Sequence, residues 1–130
     1  MSDLTIYSFG YLHGVPDATV TVDVRKILRD PHIDLTLRYL TAYDARVRAK
    51  VHATPGALEL AGELASVATR LIALSTRTGA PVALAIGCAG GRHRSAALAM
   101  WIAEALTSTG HSVAVTHLHI DRPVVERPAA

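Results

Sequence analysis

The sequence has one cysteine, little net charge and no long uninterrupted apolar segment. The one cysteine, Cys88, excludes a disulfide within the chain. The apolar stretches near residues 57–74 and 96–106 are interrupted by charged residues, and the start, Met1-Ser2-Asp3, lacks the basic and apolar segments of a signal peptide. We therefore expect a cytoplasmic protein with no membrane partner.

The formal net charge of +2 is too small to predict nucleic-acid binding on its own. The length of 130 residues is sufficient for one hydrophobic core without cross-links. We therefore predict a single domain over residues 1–130, with a loose tail over residues 122–130, where proline and arginine are frequent.

Signatures of a metal site are also missing. The chain has seven histidines but no Cys-x2-Cys or His-Glu-x2-His pattern. The pair His117-x-His119 on a strand supplies at most two ligands. We therefore predict no metal and no cofactor.

Hydrophobic periodicity predicts four strands and three helices. The predicted strands cover residues 4–9, 19–24, 81–87 and 112–120. The predicted helices cover residues 42–52 with Thr41 as N-cap, 55–78 with Thr54 as N-cap, and 95–109.

The order of these elements predicts an α/β fold with a small, mostly parallel sheet flanked by helices. The strand at 81–87 is apolar on both faces, which is typical of a central strand covered on both sides. The helix at 95–109 is apolar nearly all round, so it is either deeply buried or an oligomer surface.

The segment Gly87–Ser95, which we call the cradle, joins the apolar strand to the apolar helix. Gly90 and Gly91 allow a tight turn in which several main-chain N–H groups face one anion. The N-terminus of the following helix adds a partial positive charge. Open parallel sheets bind ligands at this end of a strand, so the cradle predicts a phosphate-binding site.

Basic and polar side chains of the cradle support the same prediction. The Arg94 guanidinium is a planar fork suited to phosphate, and Arg92 lies beside it. His93 either donates to the bound oxyanion or points to solvent. Ser95 is a candidate helix cap, a role that is compatible with a phosphate contact.

A second interpretation is a cysteine-dependent phosphatase, because Cys88, Arg94 and Ser95 have the Cys-x5-Arg-Ser spacing. The alternative is that Cys88 is only a small buried residue at a strand end. A phosphatase needs a carboxylic acid to protonate the leaving oxygen, and spacing singles out no aspartate. Gly87 also stands where a histidine would strengthen this interpretation.

Five separated segments carry a family resemblance. They are Ser8-Phe9-Gly10 with His13-Gly14 and Pro16, Asp23-Val24-Arg25, Asp30-Pro31-His32, Arg38 with Thr41 and Asp44, and the cradle Gly87-Cys88-Ala89-Gly90-Gly91-Arg92-His93-Arg94-Ser95. Together they resemble the C-terminal domain of the RapZ family of RNase adapter proteins over most of the chain. Ala89 replaces a threonine of the family, and Leu118-His119 stands where many members have Arg-Asp.

The resemblance implies a domain that binds an amino-sugar phosphate, glucosamine 6-phosphate, without catalytic turnover. By that analogy the pocket is lined by His13, Asp23, His32, Cys88, Ala89, Gly90, Gly91, Arg92, His93, Arg94 and Ser95. It also implies a homo-oligomer. The family's nucleotide-binding N-terminal domain is absent from this sequence, so we expect a free-standing module.

The family resemblance further implies RNA as a partner. The candidate RNA-binding residues are Arg25, Lys26, Arg46, Arg48, Lys50 and Arg92. Scattered solvated charge is the alternative explanation for the groups at 25–29 and 46–50. The basic C-terminal extension expected for RNA contact is reduced to Arg122 and Arg127.

Overall fold

The computed structural model describes residues 2–28 and 35–124. Within these residues, strands and helices follow the order β1 (Leu4–Gly10), β2 (Val20–Asp23), α1 (Ala45–His52), α2 (Ala57–Thr78), β3 (Ala83–Cys88), α3 (Arg94–Ser108) and β4 (Val113–His117). His32 and residues 125–130 of the predicted loose tail lie outside the described residues.

The described strands form one sheet in the order β2-β3-β1-β4, and every neighbouring pair is parallel. This confirms the predicted α/β fold, with a sheet that is parallel throughout. The register pairs Gly10 with Cys88, Asp23 with Gly87 and Ser8 with His117. The carboxyl ends of the strands therefore meet at one edge of the sheet, where the cradle begins.

The central position of β3 agrees with its apolar sequence, since residues Leu84 to Cys88 are all buried. Helix α3 contacts β1, β3 and β4 as well as both other helices. Its residues Arg94 to Ala99, Ile102 and Leu106 are buried within this chain. The apolar helix is thus largely covered by its own domain. Among the described residues, no helix has the length and apolar character needed to cross a membrane.

Helix α1 begins later than the sequence predicted. Its N-cap is Asp44 rather than Thr41, because the Asp44 carboxylate accepts a hydrogen bond from the Arg46 N–H at 2.9 Å. Ala42, the predicted first residue of this helix, donates its N–H to the Arg92 carbonyl at 2.9 Å and lies before the helix. The predicted start at residue 42 is therefore wrong, whereas the end at His52 is confirmed.

Helix α2 also has a different N-cap. The cap is Gly56, with a φ of 85°, and the helix begins at Ala57. Thr54, the predicted cap, instead donates its hydroxyl to the Lys50 carbonyl at 3.1 Å. The helix ends, as predicted, before Gly79, whose φ of 77° lies in the left-handed region that glycine adopts readily.

Gly62 in α2 provides a stability test of this helix. A Cβ at Gly62 would meet nothing within 4 Å, and its backbone is helical. We expect Gly62→Ala to raise the free energy of unfolding by about 0.5–1 kcal/mol, because alanine loses less backbone entropy on folding. Urea denaturation measures this change. The converse variant Ala73→Gly, at an exposed position of the same helix, should lower stability by a similar amount.

Candidate anion-binding site

The loops that follow the four described strands surround the cradle. β1 leads to the loop with His13, β2 ends at Asp23, β3 ends at Cys88, and β4 is followed by His119. His13 and His119 are 106 residues apart in the sequence, so no local pattern predicts that their rings meet. In the structure the two ring centroids are 5.2 Å apart.

Main-chain contacts hold the cradle against the end of β1. The N–H groups of Tyr11 and Leu12 donate to the carbonyls of Cys88 and Ala89 at 2.9 and 3.1 Å. Gly91 has a φ of 78°, and a Cβ placed there would lie 2.7 Å from the Gly10 nitrogen. Glycine at position 91 is therefore required both by its backbone conformation and by the close approach of a second main chain.

The turn presents unused donors. Among the described residues, the main-chain N–H groups of Gly90, Gly91 and Arg92 have no hydrogen-bond acceptor. The N-cap of α3 is His93, and its side chain makes no capping hydrogen bond. Consecutive amides next to a helix N-terminus provide partial positive charge for an anion.

Gly90 differs from Gly91 in its surroundings. A Cβ at Gly90 would meet nothing within 4 Å, and its φ does not lie in the left-handed region. The fold therefore does not require glycine at position 90. Because glycine has no side chain, a ligand can approach the peptide groups at position 90 closely.

Cys88 is buried, with its sulfur 3.1 Å from the Ser95 hydroxyl oxygen. That hydroxyl also donates to the Phe9 carbonyl at 3.2 Å. Ser95 is the second residue of α3 and is fully buried, so it links the cradle to β1 and does not cap the helix. A Cβ at Gly87 would collide with the rings of Phe9 and Tyr11, which accounts for glycine before Cys88.

Arg94 is placed differently from the phosphate fork that the sequence predicted. Its side chain is 3% exposed. One terminal nitrogen donates to the carbonyls of Arg25 and Leu28 at 2.9 and 3.1 Å, and to the Val24 carbonyl at 3.5 Å. The guanidinium therefore joins the segment after β2 to the start of α3, because an arginine N–H group can donate to main-chain carbonyl oxygens as well as to a phosphate.

The neighbouring basic residues also contact main-chain carbonyls. Arg92 donates to the carbonyls of Arg122 and Tyr39 at 2.6 and 2.8 Å. The His93 Nε2 lies 2.7 Å from the Leu40 carbonyl oxygen, so this nitrogen carries the proton and donates. Both side chains thus connect the cradle to segments that are distant in sequence.

Asp23 lies at the same edge of the sheet in an ion pair with Arg25. The shortest distance between the two groups is 2.7 Å, and the Arg25 guanidinium lies 3.7 Å from the Tyr11 ring centroid. The hydrogen bonds from Arg25 hold the pKa of Asp23 below its usual value. Asp23 is therefore an exposed carboxylate, a form that accepts hydrogen bonds and cannot act as a general acid.

The candidate RNA-binding residues have varied surroundings. Arg46 pairs with Asp44 at 2.8 Å, and Arg48 donates to the carbonyls of Ala42 and Tyr43 at 2.8 and 2.7 Å. The hydrogen bonds from Arg46 lower the pKa of Asp44 to about 2. Lys26 and Lys50 are exposed on the segment after β2 and on α1.

Two residues of this edge were not predicted as ligand-site residues. His119 is buried, and its Nδ1 accepts a hydrogen bond from the Gly10 N–H at 2.9 Å. His117 Nδ1 lies 2.6 Å from the hydroxyl oxygen of the buried Ser8. His117 is the last residue of β4 and His119 follows it by two residues. This position could have predicted both as ligand-site residues, because the carboxyl ends of parallel strands lie together.

No metal-binding cluster is present in residues 2–28 and 35–124, where no three histidine, cysteine or acidic side chains come together. The Nε2 of His13 is buried and has no hydrogen-bond partner within this part of the chain. A cleft of about 520 Å³ lies away from the cradle glycines. It is lined by Arg48, Met100, Ala103, Glu104, Thr107, Val115 and His117.

Three histidines predict a dependence of stability on pH. Burial is the main cause that lowers the pKa values of His52, His117 and His119 below 6.5. The unfolded chain then binds protons at a higher pH than the folded protein, so this contribution is complete above the unfolded pKa and is lost as pH falls through the lower folded values. We expect the free energy of unfolding to decrease from about pH 7 to about pH 5.

Urea denaturation at a series of pH values measures this decrease. His117→Asn and His52→Gln each remove one titrating group and should reduce the slope. A stability that rises on acidification over the same interval would contradict the assignment.

Comparison with known proteins gives one family match. The family model described as the RapZ C-terminal domain matches residues 2–121. Similar curated proteins are called nucleotide-binding proteins. One from Desulforudis audaxviator is 40% identical over 123 residues, which is 93% of this chain and 42% of that protein. One from Laribacter hongkongensis is 40% identical over 121 residues, which is 92% of this chain and 43% of that protein. The chain thus spans about two fifths of the length of these relatives.

Proposed function

The chain belongs to the RapZ C-terminal domain family, and on this premise we propose that it binds a phosphorylated small molecule at the cradle. The observation that carries the proposal is the set of consecutive N–H groups at Gly90, Gly91 and Arg92, which have no acceptor among the described residues. These donors adjoin the N-terminus of α3, whose partial charge favours an anion.

The donors in this proposal are mainly main-chain groups. The side chains of Arg92, His93 and Arg94 donate to main-chain carbonyls and so maintain the shape of the cradle. His13 contributes a buried Nε2 that has no partner in the described part of the chain. Asp23 supplies a carboxylate at the same edge, which suits a hydroxyl or an ammonium group on the ligand.

This set of groups supports an amino-sugar phosphate such as glucosamine 6-phosphate as the ligand. The phosphate would accept from the amides of the cradle, and the sugar ammonium would face the carboxylate of Asp23. A nucleotide phosphate is the second ligand class, because the related proteins are named nucleotide-binding proteins. Either ligand is bound without turnover in this proposal.

The same geometry favours binding over thiol phosphatase chemistry. In that chemistry the arginine of Cys-x5-Arg contacts the phosphate above the thiolate. Here the Arg94 guanidinium donates to the carbonyls of the segment after β2, and the Cys88 sulfur contacts the buried Ser95 hydroxyl. Asp23 is held as a carboxylate by Arg25, which does not suit a proton donor.

Isothermal titration calorimetry tests the proposal with glucosamine 6-phosphate, glucose 6-phosphate, a nucleoside monophosphate and inorganic phosphate. The key variant is Gly90→Ala. The fold has room for the added methyl group, but this group would occupy space that a ligand bound to the main-chain amides needs. We expect Gly90→Ala to weaken binding about tenfold or more while stability changes little. Absence of binding by the native protein to all four compounds rejects the proposal.

RNA binding is a second candidate, favoured by two exposed tyrosines near basic residues. Tyr39 and Tyr43 are 62% and 60% exposed and precede α1, which carries Arg46, Arg48 and Lys50. Aromatic rings beside cationic side chains are suited to stacking with unpaired bases.

A salt titration of the affinity for a single-stranded RNA tests this candidate, since neutralised phosphates make binding fall steeply with salt. Tyr43→Ala should weaken binding, and Tyr43→Phe, which keeps the ring, should not. No binding at low salt, or equal effects of the two variants, counts against RNA stacking at this surface.

A further inference from the structure

His119 is connected to the cradle through one glycine. It is 8% exposed, and its Nδ1 accepts the hydrogen bond from the Gly10 N–H at 2.9 Å. An accepting Nδ1 carries no proton, so the neutral ring has its proton on Nε2. The bond therefore exists only while His119 is neutral.

Gly10 in turn packs directly on the main chain of the cradle. A Cβ at Gly10 would overlap the carbonyl group of Gly90 and lie 2.7 Å from the Gly91 nitrogen. A Cβ at Gly91 would lie 3.0 Å from the His119 Cβ. His119, Gly10 and Gly91 thus contact one another.

We infer that His119 is a proton-sensitive positioning residue that holds the cradle in its anion-binding shape. The inference rests on the proposed function. Protonation can occur only at Nδ1, because Nε2 already carries a proton, and it turns the acceptor into a second donor facing the Gly10 N–H. The bond that joins the end of β1 to the segment after β4 is then lost, so Gly10 is held less firmly against the turn, and we expect anion affinity to fall in acid.

The charged groups around His119 do not offset this loss. His13, from the loop after β1, faces its ring at 5.2 Å. Arg122, in the segment after β4, donates its N–H to the His119 carbonyl at 3.0 Å, and the Arg122 carbonyl accepts from the cationic Arg92. Burial, His13 and Arg122 together lower the pKa of His119. The neutral ring is therefore the form that this environment favours.

Sulfate is the probe, because it remains doubly charged across the pH range in which histidine titrates. Its affinity is measured by calorimetry at about pH 7.5 and about pH 4.5, and the lower value is well below the usual histidine pKa because the pKa of His119 is lowered. We expect the affinity of the native protein to fall about three- to tenfold on acidification, the loss of one hydrogen bond. His119→Asn keeps an acceptor that does not titrate, so its affinity should lack this fall.

His119→Ala removes the acceptor and should bind sulfate weakly at both pH values. His13 is present in the native protein and in both variants, so the difference between native protein and His119→Asn isolates His119. Equal pH profiles for these two, or a native affinity that rises in acid relative to His119→Asn, overturn the inference.

A measurement without ligand separates this inference from the proposed function. In the native protein the Gly10 amide resonance should shift with the titration of His119, and in His119→Asn it should not. If neither sulfate nor any of the four phosphate compounds binds at any pH, the proposed function is rejected, and the Gly10 amide alone decides the role of His119. A Gly10 resonance that does not titrate in the native protein overturns that role.

Discussion

Arg94→Ala is expected to lower the free energy of unfolding by about 3–4 kcal/mol, because buried carbonyl acceptors lose a charged donor. The guanidinium is 3% exposed and donates to the carbonyls of Val24, Arg25 and Leu28. Chemical denaturation monitored by circular dichroism measures the loss.

Two variants make this test specific. Arg77→Ala removes an exposed arginine from the last turn of α2 and should change stability by no more than about 0.5 kcal/mol. Arg94→Lys retains the charge, but its side chain is one atom shorter than that of arginine and brings its ammonium short of the carbonyls that the Arg94 terminal nitrogen contacts, so most of the loss should remain. A variant Arg94→Ala that keeps native stability but no longer binds phosphate would contradict the structure and support the phosphate fork predicted from the sequence.

Gly91→Ala is expected to destabilise the protein by about 2–4 kcal/mol, the sum of backbone strain and overpacking. Its φ is 78°, and the added Cβ would lie 2.7 Å from the Gly10 nitrogen and 2.9 Å from the Phe9 carbonyl carbon. These are main-chain atoms of β1, which cannot move aside as a flexible side chain can. The same change should weaken phosphate binding, because it separates the turn from β1.

Gly79→Ala is the matched control. Its φ of 77° is nearly the same, but a Cβ there meets nothing within 4 Å. We expect Gly79→Ala to cost about 1 kcal/mol from backbone conformation alone. The excess cost of Gly91→Ala over Gly79→Ala measures the contact between the cradle and β1, and an excess of zero would show that this contact is not tight.

The elements were predictable because their signals are local. The alternation in residues 4–9 and the apolar residues of 81–87 predicted β1 and β3 within two residues of their observed ends. The first residues of α1 and α2 were less predictable than their last residues. Thr41 and Thr54 are good caps by type, but Ala42 is tied to Arg92, and the Thr54 hydroxyl donates to Lys50. The residue types around a predicted cap do not show these hydrogen bonds.

The cradle could be located from the sequence, but the direction of its side chains could not. Arg92 and Arg94 were predicted as anion contacts from residue type and spacing, and His93 was placed in the ligand pocket by the family resemblance. In the structure each donates to main-chain carbonyls that are at least 30 residues away in sequence. A guanidinium or imidazole has the same donors for a phosphate and for a carbonyl, so only the position of the acceptors decides.

The sequence by itself determined an α/β domain of the RapZ C-terminal type with a mostly parallel sheet and a glycine turn between β3 and α3, because periodicity, glycines and motif spacing are properties of neighbouring residues. Only the tertiary structure decided which groups face the turn. It placed the amides of Gly90 to Arg92 at the turn, where they have no acceptor among the described residues. It buried the Arg94 side chain against main-chain carbonyls after β2, and it placed the His119 ring within hydrogen-bond distance of Gly10. The physical reason is that a donor takes whichever acceptor the packed strands bring within hydrogen-bond distance, and that acceptor lies far along the chain.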